Sequence, residues 1–253
     1  MAAPRILVEQ ALAPGAVVAL PPAAARHVQV LRMQPGQELV VFNGREDAEW
    51  PAEITRIGRS DVEVRLGAAR PAADRELDCA VTLAIGMPAN ERMDGLIEKA
   101  TELGATAVQP LLCERSVVRL VGDRAAARRR HWQAVAAAAC EQCGRSRVPK
   151  IALPARLDRW LEGLAADPST GRVGRVVLSF DPRAVPVAGA LLERRTAVVV
   201  LSGPEGGLAP AEEAAAASAG FVRVSLGPRI LRADTAPLAL LAWLGLAACR
   251  DPS

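Results

Sequence analysis

From about residue 73 onward, short apolar runs alternate with helical segments, and this alternation restricts the fold more than any other feature. The apolar runs predict buried strands: "CAVTLAIG" (79–86), "AVQPLLC" (107–113), "RVVLSF" (175–180), "TAVVVLS" (196–202) and "FVRVSL" (221–226). Helices are predicted between them, one capped by Asn90 and stopped by Gly104, and others over residues 123–143, 210–219 and 234–248. Apolar strands that alternate with helices predict an α/β domain with a mainly parallel sheet over residues 73–253.

The first 72 residues follow a different pattern, in which short strands succeed one another closely. Strands are predicted at 5–8, 17–20, 38–42, 49–57 and 61–66, together with one helix over 22–31. Asn43-Gly44 is a strong hairpin signal, and Pro51 predicts an edge strand or a bulge. We therefore predict a small β-barrel-like domain over residues 1–72, with residues 67–76 as the linker.

Charge is distributed unevenly along the chain. The 253 residues are 51% hydrophobic and 23% charged, as in an ordered globular protein, and the net charge of +3 does not by itself indicate nucleic acid. Between Arg115 and Lys150, however, nine basic residues stand against Asp123 and Glu141, a local charge of +7. Such a segment suits a polyanionic partner or, equally, a solvated helix face.

Membrane and metal functions are not expected. No signal peptide is recognisable, and the apolar stretch Thr235–Cys249 is too short to span a bilayer. Five cysteines with scattered spacing indicate reduced thiols and a cytoplasmic protein. Cys140 and Cys143 form a C-x-x-C without a second ligand pair, and His27 and His131 supply none, so we interpret all four as ordinary helix or surface residues rather than metal ligands.

Three predicted strand ends carry unusual loops, and ligands of parallel sheets bind at such ends. The loops are "LSFDP" (178–182), "LSGPEGG" (201–207) and "SLGPRILRADTA" (225–236). Their glycines allow the backbone to approach a ligand closely, whereas the spacing fits neither a P-loop nor a dinucleotide fingerprint. Tight turns would explain each loop, taken alone, about as well.

Together the loops resemble the C-terminal signature of the bacterial 16S rRNA (uracil-N3)-methyltransferases. "SGPEGGL" and "VSLGPRILRADTAPLALLA" carry this signature, and "RHVQVLRMQPGQEL" (26–39), "RMDGLIEKATELGATAVQPLLCERSVV" (92–118) and "EQCGRSRVPKI" (141–151) resemble further family segments. These enzymes belong to the SPOUT, or α/β-knotted, superfamily and use S-adenosylmethionine. The resemblance implies a PUA-like RNA-binding β-barrel over 1–72 and a methyltransferase domain with a C-terminal trefoil knot over 73–253. It also implies a homodimer with each cofactor pocket beside the subunit interface.

The resemblance assigns cofactor and RNA contacts to individual residues. The adenosyl group of S-adenosylmethionine would be surrounded by Leu178, Leu201, Gly203, Pro204, Glu205, Gly206, Leu226, Gly227, Ile230 and Leu231. Phosphate contacts of the RNA would come from Arg26, His27, Arg32 and Arg115, with Gln142 and Arg145 nearer the pocket.

The implied reaction is methyl transfer to N3 of a uridine in 16S rRNA, within the small ribosomal subunit. Arg232 is the candidate cation that stabilises the developing uracil anion, and Asp234 and Glu205 are candidate proton acceptors, although either carboxylate could instead cap a helix or balance Arg232. N3 lies on the Watson–Crick edge, so the uridine must be exposed or flipped.

The sequence departs from the family pattern at three positions and leaves two rival functions open. Ala209 stands where Ser is common, Asp234 where Glu is frequent, and Ala89 where Lys is frequent. The first rival is the same fold acting on another RNA or on a ribose 2′-hydroxyl. The second is a non-catalytic RNA-binding relative.

Overall fold

The computed structural model of the chain describes residues 3–89, 92–165, 173–191 and 196–248. Asn90, the predicted helix cap, lies outside these residues. The chain forms two compact units. One comprises residues up to 76 together with 137–148, and the other comprises 77–136 and the chain from 149 onward.

The first unit is a mixed sheet with one helix. Its elements are β1 (Arg5–Leu7), β2 (Val17–Ala19), α1 (Pro22–Val30), β3 (Glu38–Phe42), β4 (Ala48–Ile57), β5 (Val62–Leu66) and β6 (Arg70–Pro71). The strand order is β1-β3-β4-β5-β2, with β6 beside β4. Strand β1 runs parallel to β3, and the other pairings are antiparallel. Val28, Val41, Ile54 and Val64 are fully buried in its core, so the alternating pattern of the sequence does mark the buried face.

The expectation that Pro51 marks an edge or a bulge was wrong. Strand β4 lies between β3 and β5, and its register shift falls between Ile54 and Arg56. The Gly67 N–H donates to the Pro51 carbonyl oxygen at 2.7 Å, just beyond the end of β5. A proline is tolerated in this central strand because its missing N–H coincides with the end of a ladder.

The second unit contains the remaining elements. They are β7 (Ala80–Gly86), α2 (Arg92–Glu102), β8 (Ala107–Leu112), α3 (Gly122–Cys143, whose last turns belong to the first unit), β9 (Lys150–Ile151), β10 (Ala155–Arg156), α4 (Leu157–Ala165), β11 (Val173–Leu178), β12 (Val185–Pro186), α5 (Val187–Ala190), β13 (Ala197–Ser202), α6 (Pro210–Ser218), β14 (Val222–Ser225) and α7 (Thr235–Ala248). The strand order is β10-β8-β7-β13-β11-β14-β12, with β9 beside β8.

Every pairing among the described strands of this sheet is parallel, which confirms the predicted fold class. Strand β13 is central, and Val200 and Leu201 are fully buried. Leu201 belongs to a cluster with Leu157 and Leu161 of α4 and Ala216 of α6. Full burial of each large apolar side chain contributes about 1.5–3 kcal/mol. The trefoil knot and the domain boundary at residue 72 stay predictions of the resemblance.

Helices α4 and α5 and the short strands β6, β9, β10 and β12 were not predicted, and β6 falls within the predicted linker of residues 67–76. A signal for α4 was present, because Leu157, Trp160, Leu161 and Leu164 recur at helical spacing. The two-residue strands are too short to carry any periodicity, so only their pairing with longer neighbours reveals them.

Helices α2 and α3 are joined by one carboxylate. Asp94 accepts hydrogen bonds from Trp132 Nε1 at 3.0 Å and contacts His131 Nε2 at 2.6 Å. The Trp132 ring is buried, so its N–H requires a partner inside the protein. His131, considered above as a metal ligand, is thus engaged in a contact between helices.

In the first unit, the end of α3 supplies a buried carboxylate to β1. Glu141 Oε1 accepts the Leu7 N–H at 2.9 Å. Burial raises the pKa of Glu141, and the Leu7 N–H, His27 and Arg5 offset part of this rise. A carboxyl with a raised folded-state pKa contributes stability at low pH, and this contribution is lost as the pH rises through the folded-state pKa.

We therefore expect Glu141→Gln to be more stable than the wild type at neutral pH, with the difference shrinking toward pH 4. Glutamine retains an oxygen for the Leu7 N–H but carries no charge to desolvate. Urea denaturation at pH 4.5 and 7.5 measures the difference, and Glu9→Gln, at an exposed position, is the control. A Glu141→Gln protein less stable than wild type at pH 7.5 would contradict this reading of the buried carboxyl.

Candidate functional site

The loops after three neighbouring strands line one cavity of about 1070 Å³. Strands β13, β11 and β14 are adjacent and parallel, so their carboxyl ends at Ser202, Leu178 and Ser225 meet at one edge of the sheet. Strands β7 and β8, which come first in the chain, lie on one side of β13, and β11 and β14 lie on the other side. Strand β13 is therefore the topological switch point of the sheet, where ligands of such sheets commonly bind. The cavity therefore lies at the edge where the sequence predicts a ligand.

The loop of residues 203–207 is pressed against neighbouring backbone. A Cβ atom on Gly203 would stand 2.8 Å from the Leu208 nitrogen, and one on Gly86 would stand 2.6 Å from the Pro204 nitrogen. The Gly207 N–H donates to the Pro204 carbonyl oxygen at 2.8 Å, and Gly207 has φ +69°. Glycine is thus required at Gly86 and Gly203 by close approach and at Gly207 by backbone conformation.

Glu205 holds this loop against the segment that follows β7. Its carboxylate accepts the Ala89 N–H at 3.0 Å and 3.3 Å and lies 3.3 Å from Arg92 Nη1. These bonds occupy the carboxylate with structural partners, which argues against Glu205 as the proton acceptor. Ala89, where the family frequently has Lys, contributes its backbone N–H instead of a side chain.

Two further side chains tie the same loop to the end of β8. Arg115 Nη1 donates to the Gly206 carbonyl oxygen at 2.9 Å, so this arginine holds the loop as well as lining the cavity. Glu212 Oε2 accepts the Ala209 N–H at 2.9 Å, and Glu212 Oε1 accepts the Glu114 N–H at 2.8 Å. Helix α6 is therefore capped by Glu212, although Ala209 offers no capping side chain.

The loop after β14 contributes two arginines to the cavity lining that form no ion pair within the described chain. Gly227 has φ +100°, and its N–H donates to Ser225 Oγ at 3.2 Å. Arg229 and Arg232 are exposed and line the cavity, and their guanidinium groups have no hydrogen-bond or ion-pair partner among the described residues. Between them Ile230 is 85% exposed and is therefore not a core residue.

The loop after β11 also lines the cavity. Arg183 Nη2 lies 2.7 Å from Asp181 Oδ2, and this contact holds the pKa of Asp181 well below its usual range. Phe180 and Ser179 also line the cavity. The sequence prediction singled out this strand end but assigned roles to none of these four residues, nor to Arg92 or Arg229.

Most of the predicted cofactor residues meet at this cavity, whereas one predicted cofactor residue, Leu201, and one predicted catalytic residue, Asp234, do not line it. The lining residues are Leu178, Gly203, Pro204, Glu205, Gly206, Leu226, Gly227, Ile230 and Leu231, together with Arg115 and Arg232. Leu201 is fully buried in the core one residue before the loop. Asp234 is half-buried just before α7, and its Oδ1 is buried without a hydrogen-bond partner among the described residues.

The candidate RNA contacts of the first unit differ in accessibility. Arg26 and His27 lie on the exposed side of α1, and Gln142 is exposed near the end of α3. Arg32 is exposed after α1 with φ +54°, the one positive φ of a non-glycine residue in the described chain. These four side chains are free to meet a phosphate.

Arg145 is not accessible in this way. It is 2% exposed, and its guanidinium pairs with the Glu76 carboxylate, Nε to Oε2 at 3.0 Å. A buried and neutralised arginine cannot make the predicted phosphate contact, so Arg145 is a structural residue of the first unit. The basic segment still carries exposed cations without a partner in the described chain: Arg119, Arg124, Arg128 and Arg130.

The cysteines and acidic residues form no metal-binding group in the described chain. Cys140 Sγ lies 3.5 Å from the Arg147 carbonyl oxygen, and a hydrogen bond with Cys143 together with burial raises the pKa of Cys140. Burial, with the nearby Glu212, raises the pKa of Cys113 to about 12. None of the described helices has the length and apolar character that a bilayer span requires.

Comparison with known proteins agrees with this architecture. Residues 75–245 match an RNA methyltransferase domain family, and residues 20–67 match an RNA methyltransferase PUA domain family. The ribosomal RNA small subunit methyltransferase E of Synechocystis is 34% identical over 90% of this chain and 73% of its own length. The protein of the same name from Bacillus subtilis is 30% identical over 83% of this chain and 82% of its own length.

Solved structures extend the likeness to the whole chain. The ribosomal RNA small subunit methyltransferase E of Neisseria gonorrhoeae, solved with S-adenosylmethionine, is 34% identical with a TM-score of 0.87 and covers 97% of this chain and 98% of its own. A Legionella pneumophila methyltransferase, also solved with this cofactor, is 31% identical with a TM-score of 0.89 and 98% coverage of both chains. The chain therefore belongs to the RNA methyltransferase family that includes the ribosomal RNA small subunit methyltransferase E proteins.

Proposed function

We propose that this chain transfers the methyl group of S-adenosylmethionine to N3 of a uridine in 16S ribosomal RNA. The observation that carries the proposal is the cavity at the ends of β11, β13 and β14, in a chain whose relatives were solved with this cofactor. The N3 position rests on the resemblance of the loops after β13 and β14.

The residues of the cavity fit an adenosyl cofactor. Pockets for small ligands have volumes of about 300–1,000 Å³, and the present cavity, at about 1070 Å³, is large enough for one such ligand. Half-buried Leu178, Leu226 and Leu231 provide apolar walls suited to a purine ring. Gly203 and Gly206 line the cavity without a side chain of their own in front of their backbone groups, and of these groups the Gly206 carbonyl oxygen accepts a hydrogen bond from Arg115.

S-adenosylmethionine supplies a methyl group already activated on a sulfonium, so the protein has to align the uracil and accept its N3 proton. Arg232 can stabilise the uracil anion that develops, because it lines the cavity and has no carboxylate partner in the described chain. We propose Arg232 as the catalytic cation.

The role of each carboxylate follows from its partners. Glu205 is a positioning residue, since Ala89 and Arg92 already occupy its oxygens. Asp234 remains the candidate proton acceptor, because its Oδ1 is buried without a partner among the described residues and it lies two positions from Arg232. Asp234 does not line the cavity, so binding of the substrate or a small shift of the loop after β14 must bring its carboxylate to the uracil.

Exposed cations offer surfaces for the RNA backbone. In the first unit we propose Arg26, His27 and Arg32 as phosphate contacts, with Gln142 as a polar contact. In the second unit, Arg115 lines the cavity, but its guanidinium is partly occupied by the carbonyl of Gly206. The proposed substrate context is the small ribosomal subunit in the cytoplasm, where the uridine must leave its stack to expose N3.

The surface of α7 supports a homodimer. The helix is apolar almost throughout, "TAPLALLAWLGLAA", yet Leu246 is 69% exposed and Trp243 and Leu244 are only half-buried. A helix that is apolar all round is usually buried. A second copy packed on α7 would cover these side chains, and we propose this arrangement as the dimer.

We expect 16S rRNA from a strain lacking this protein to lose one N3-methyluridine, and the wild-type protein with S-adenosylmethionine to restore it in vitro. Nucleoside mass spectrometry with fragment mapping detects the change. Loss of a ribose-methylated nucleotide instead would favour the first rival function. Unchanged rRNA, together with no cofactor binding in calorimetry, would favour the non-catalytic rival.

Gly203→Ala is expected to weaken S-adenosylmethionine binding at least about tenfold, or about 1.4 kcal/mol. The added Cβ would stand 2.8 Å from the Leu208 nitrogen, so the loop of residues 203–207 must shift. Isothermal calorimetry measures the affinity. Gly163→Ala in α4 is the matched control, because no atom lies within 4 Å of its Cβ position and binding should persist. Equal affinity of both variants would reject the close-approach argument.

Arg232→Ala is expected to lower methyl transfer about 10²- to 10³-fold while S-adenosylmethionine affinity stays within about threefold of wild type. The expected loss arises because the cation would act on the uracil rather than on the cofactor. Arg156→Ala, which removes an exposed arginine paired with Asp158 outside the cavity, serves as the control. Normal turnover by the Arg232→Ala protein would remove this residue from the catalytic machinery.

A further inference from the structure

Phe180 is exposed to a degree that core packing does not explain. The chain has three phenylalanines and no tyrosine. Phe42 and Phe221 are buried in cores, whereas Phe180 is 71% exposed and lines the cavity. An exposed aromatic ring at the lining of a cavity offers a face on which a base can stack.

The ring is presented by an ordered turn. The Ser179 N–H donates to the Val224 carbonyl oxygen at 3.1 Å, which continues the pairing of β11 with β14. The Asp181 N–H donates to Ser179 Oγ at 3.1 Å, and the Ala184 N–H donates to the Asp181 carbonyl oxygen at 2.8 Å. The backbone on both sides of Phe180 is therefore fixed by hydrogen bonds.

An unpaired cation shares the cavity with this ring. Three arginines of the lining are engaged: Arg92 with Glu205, Arg115 with the Gly206 carbonyl and Arg183 with Asp181. Arg229, on the loop after β14, is exposed and has no partner among the described residues. With Arg232 assigned above to the uracil, Arg229 is available to a phosphate.

The cavity is slightly larger than the usual pocket for one small ligand. Such pockets have volumes of about 300–1,000 Å³, and this cavity measures about 1070 Å³. Methyl transfer requires the donor and the acceptor base in one enclosure, so part of this space must receive the base.

We propose that Phe180 is the stacking platform for the base of the target nucleotide and that Arg229 binds a phosphate of the same RNA strand. The inference rests on the proposed function and specifies which wall of the cavity takes the RNA. Unstacked bases of single-stranded RNA commonly stack on aromatic side chains, and arginine is suited to phosphate. The ring replaces part of the stacking that the uridine loses when it is flipped.

The test compares Phe180→Leu, which keeps apolar bulk without a ring, with Phe180→Trp, which keeps an aromatic face. The probes are unmodified 16S rRNA from a deletion strain and a uridine-containing RNA hexanucleotide alongside its abasic counterpart. We expect Phe180→Leu to raise KM for rRNA about 10- to 100-fold and to abolish the preference for uridine over the abasic strand. Phe180→Trp should lie within about threefold of wild type.

Control variants test whether the effects are specific to RNA binding at Phe180 and Arg229. Leu153→Ala, at an exposed apolar position outside the lining, should leave KM unchanged. Arg229→Ala should reduce the slope of log affinity against log salt by about 1, and Arg229→Lys should retain most of it. Affinity for S-adenosylmethionine should stay within about twofold in all variants.

Three outcomes would overturn the inference. Unchanged KM and base preference in Phe180→Leu would remove the stacking role. Weakened cofactor binding would assign the ring to the adenosyl group, and a shift toward monomer in sedimentation would assign it to contact between copies. Failure of the proposed function is distinguishable, because the wild-type protein itself would then not methylate the uridine.

Discussion

The close approach of two backbone segments at the centre of the parallel sheet determines the rest of the site. The end of β7 and the chain leaving β13 meet where Gly86 and Gly203 carry no side chain, and a Cβ on Gly86 would overlap Pro204. This contact sets the path of residues 203–207 away from the sheet. Glu205 and Arg115 then fix the loop from two sides, and the cavity is the space left in front of it.

The sequence was sufficient for the elements that have strong periodicity. Strands β3, β7 and β13 begin and end within one residue of the predicted bounds, because apolar runs bounded by turn residues specify them locally. Pro51 shows the limit of local rules. Its tolerance depends on where a neighbouring strand ends, and that is a property of the pairing rather than of the residue.

The sequence predicted which loops form the site, but it did not predict the roles of all the charged side chains there. Glycines at strand ends indicate that the backbone closely approaches either a ligand or another backbone segment. The loops of the site could therefore be identified from the sequence. The role of a carboxylate depends on what neutralises it, and Glu205 bonds to residues 113 and 116 positions away. Arg145 likewise loses its expected role to a carboxylate 69 positions away. Such pairings have no signature in the spacing of residues.

The capping of α6 by Glu212 has a consequence for how this region tolerates sequence change. Each oxygen of one carboxylate receives a backbone N–H, one from Ala209 and one from Glu114 after β8. The side chain that caps the helix start therefore belongs to Glu212, three positions after the N-cap residue Ala209. Position 209 can therefore vary among small residues without loss of the cap. A change of Glu212 would instead remove the hydrogen bonds to the start of α6 and to the loop after β8 together.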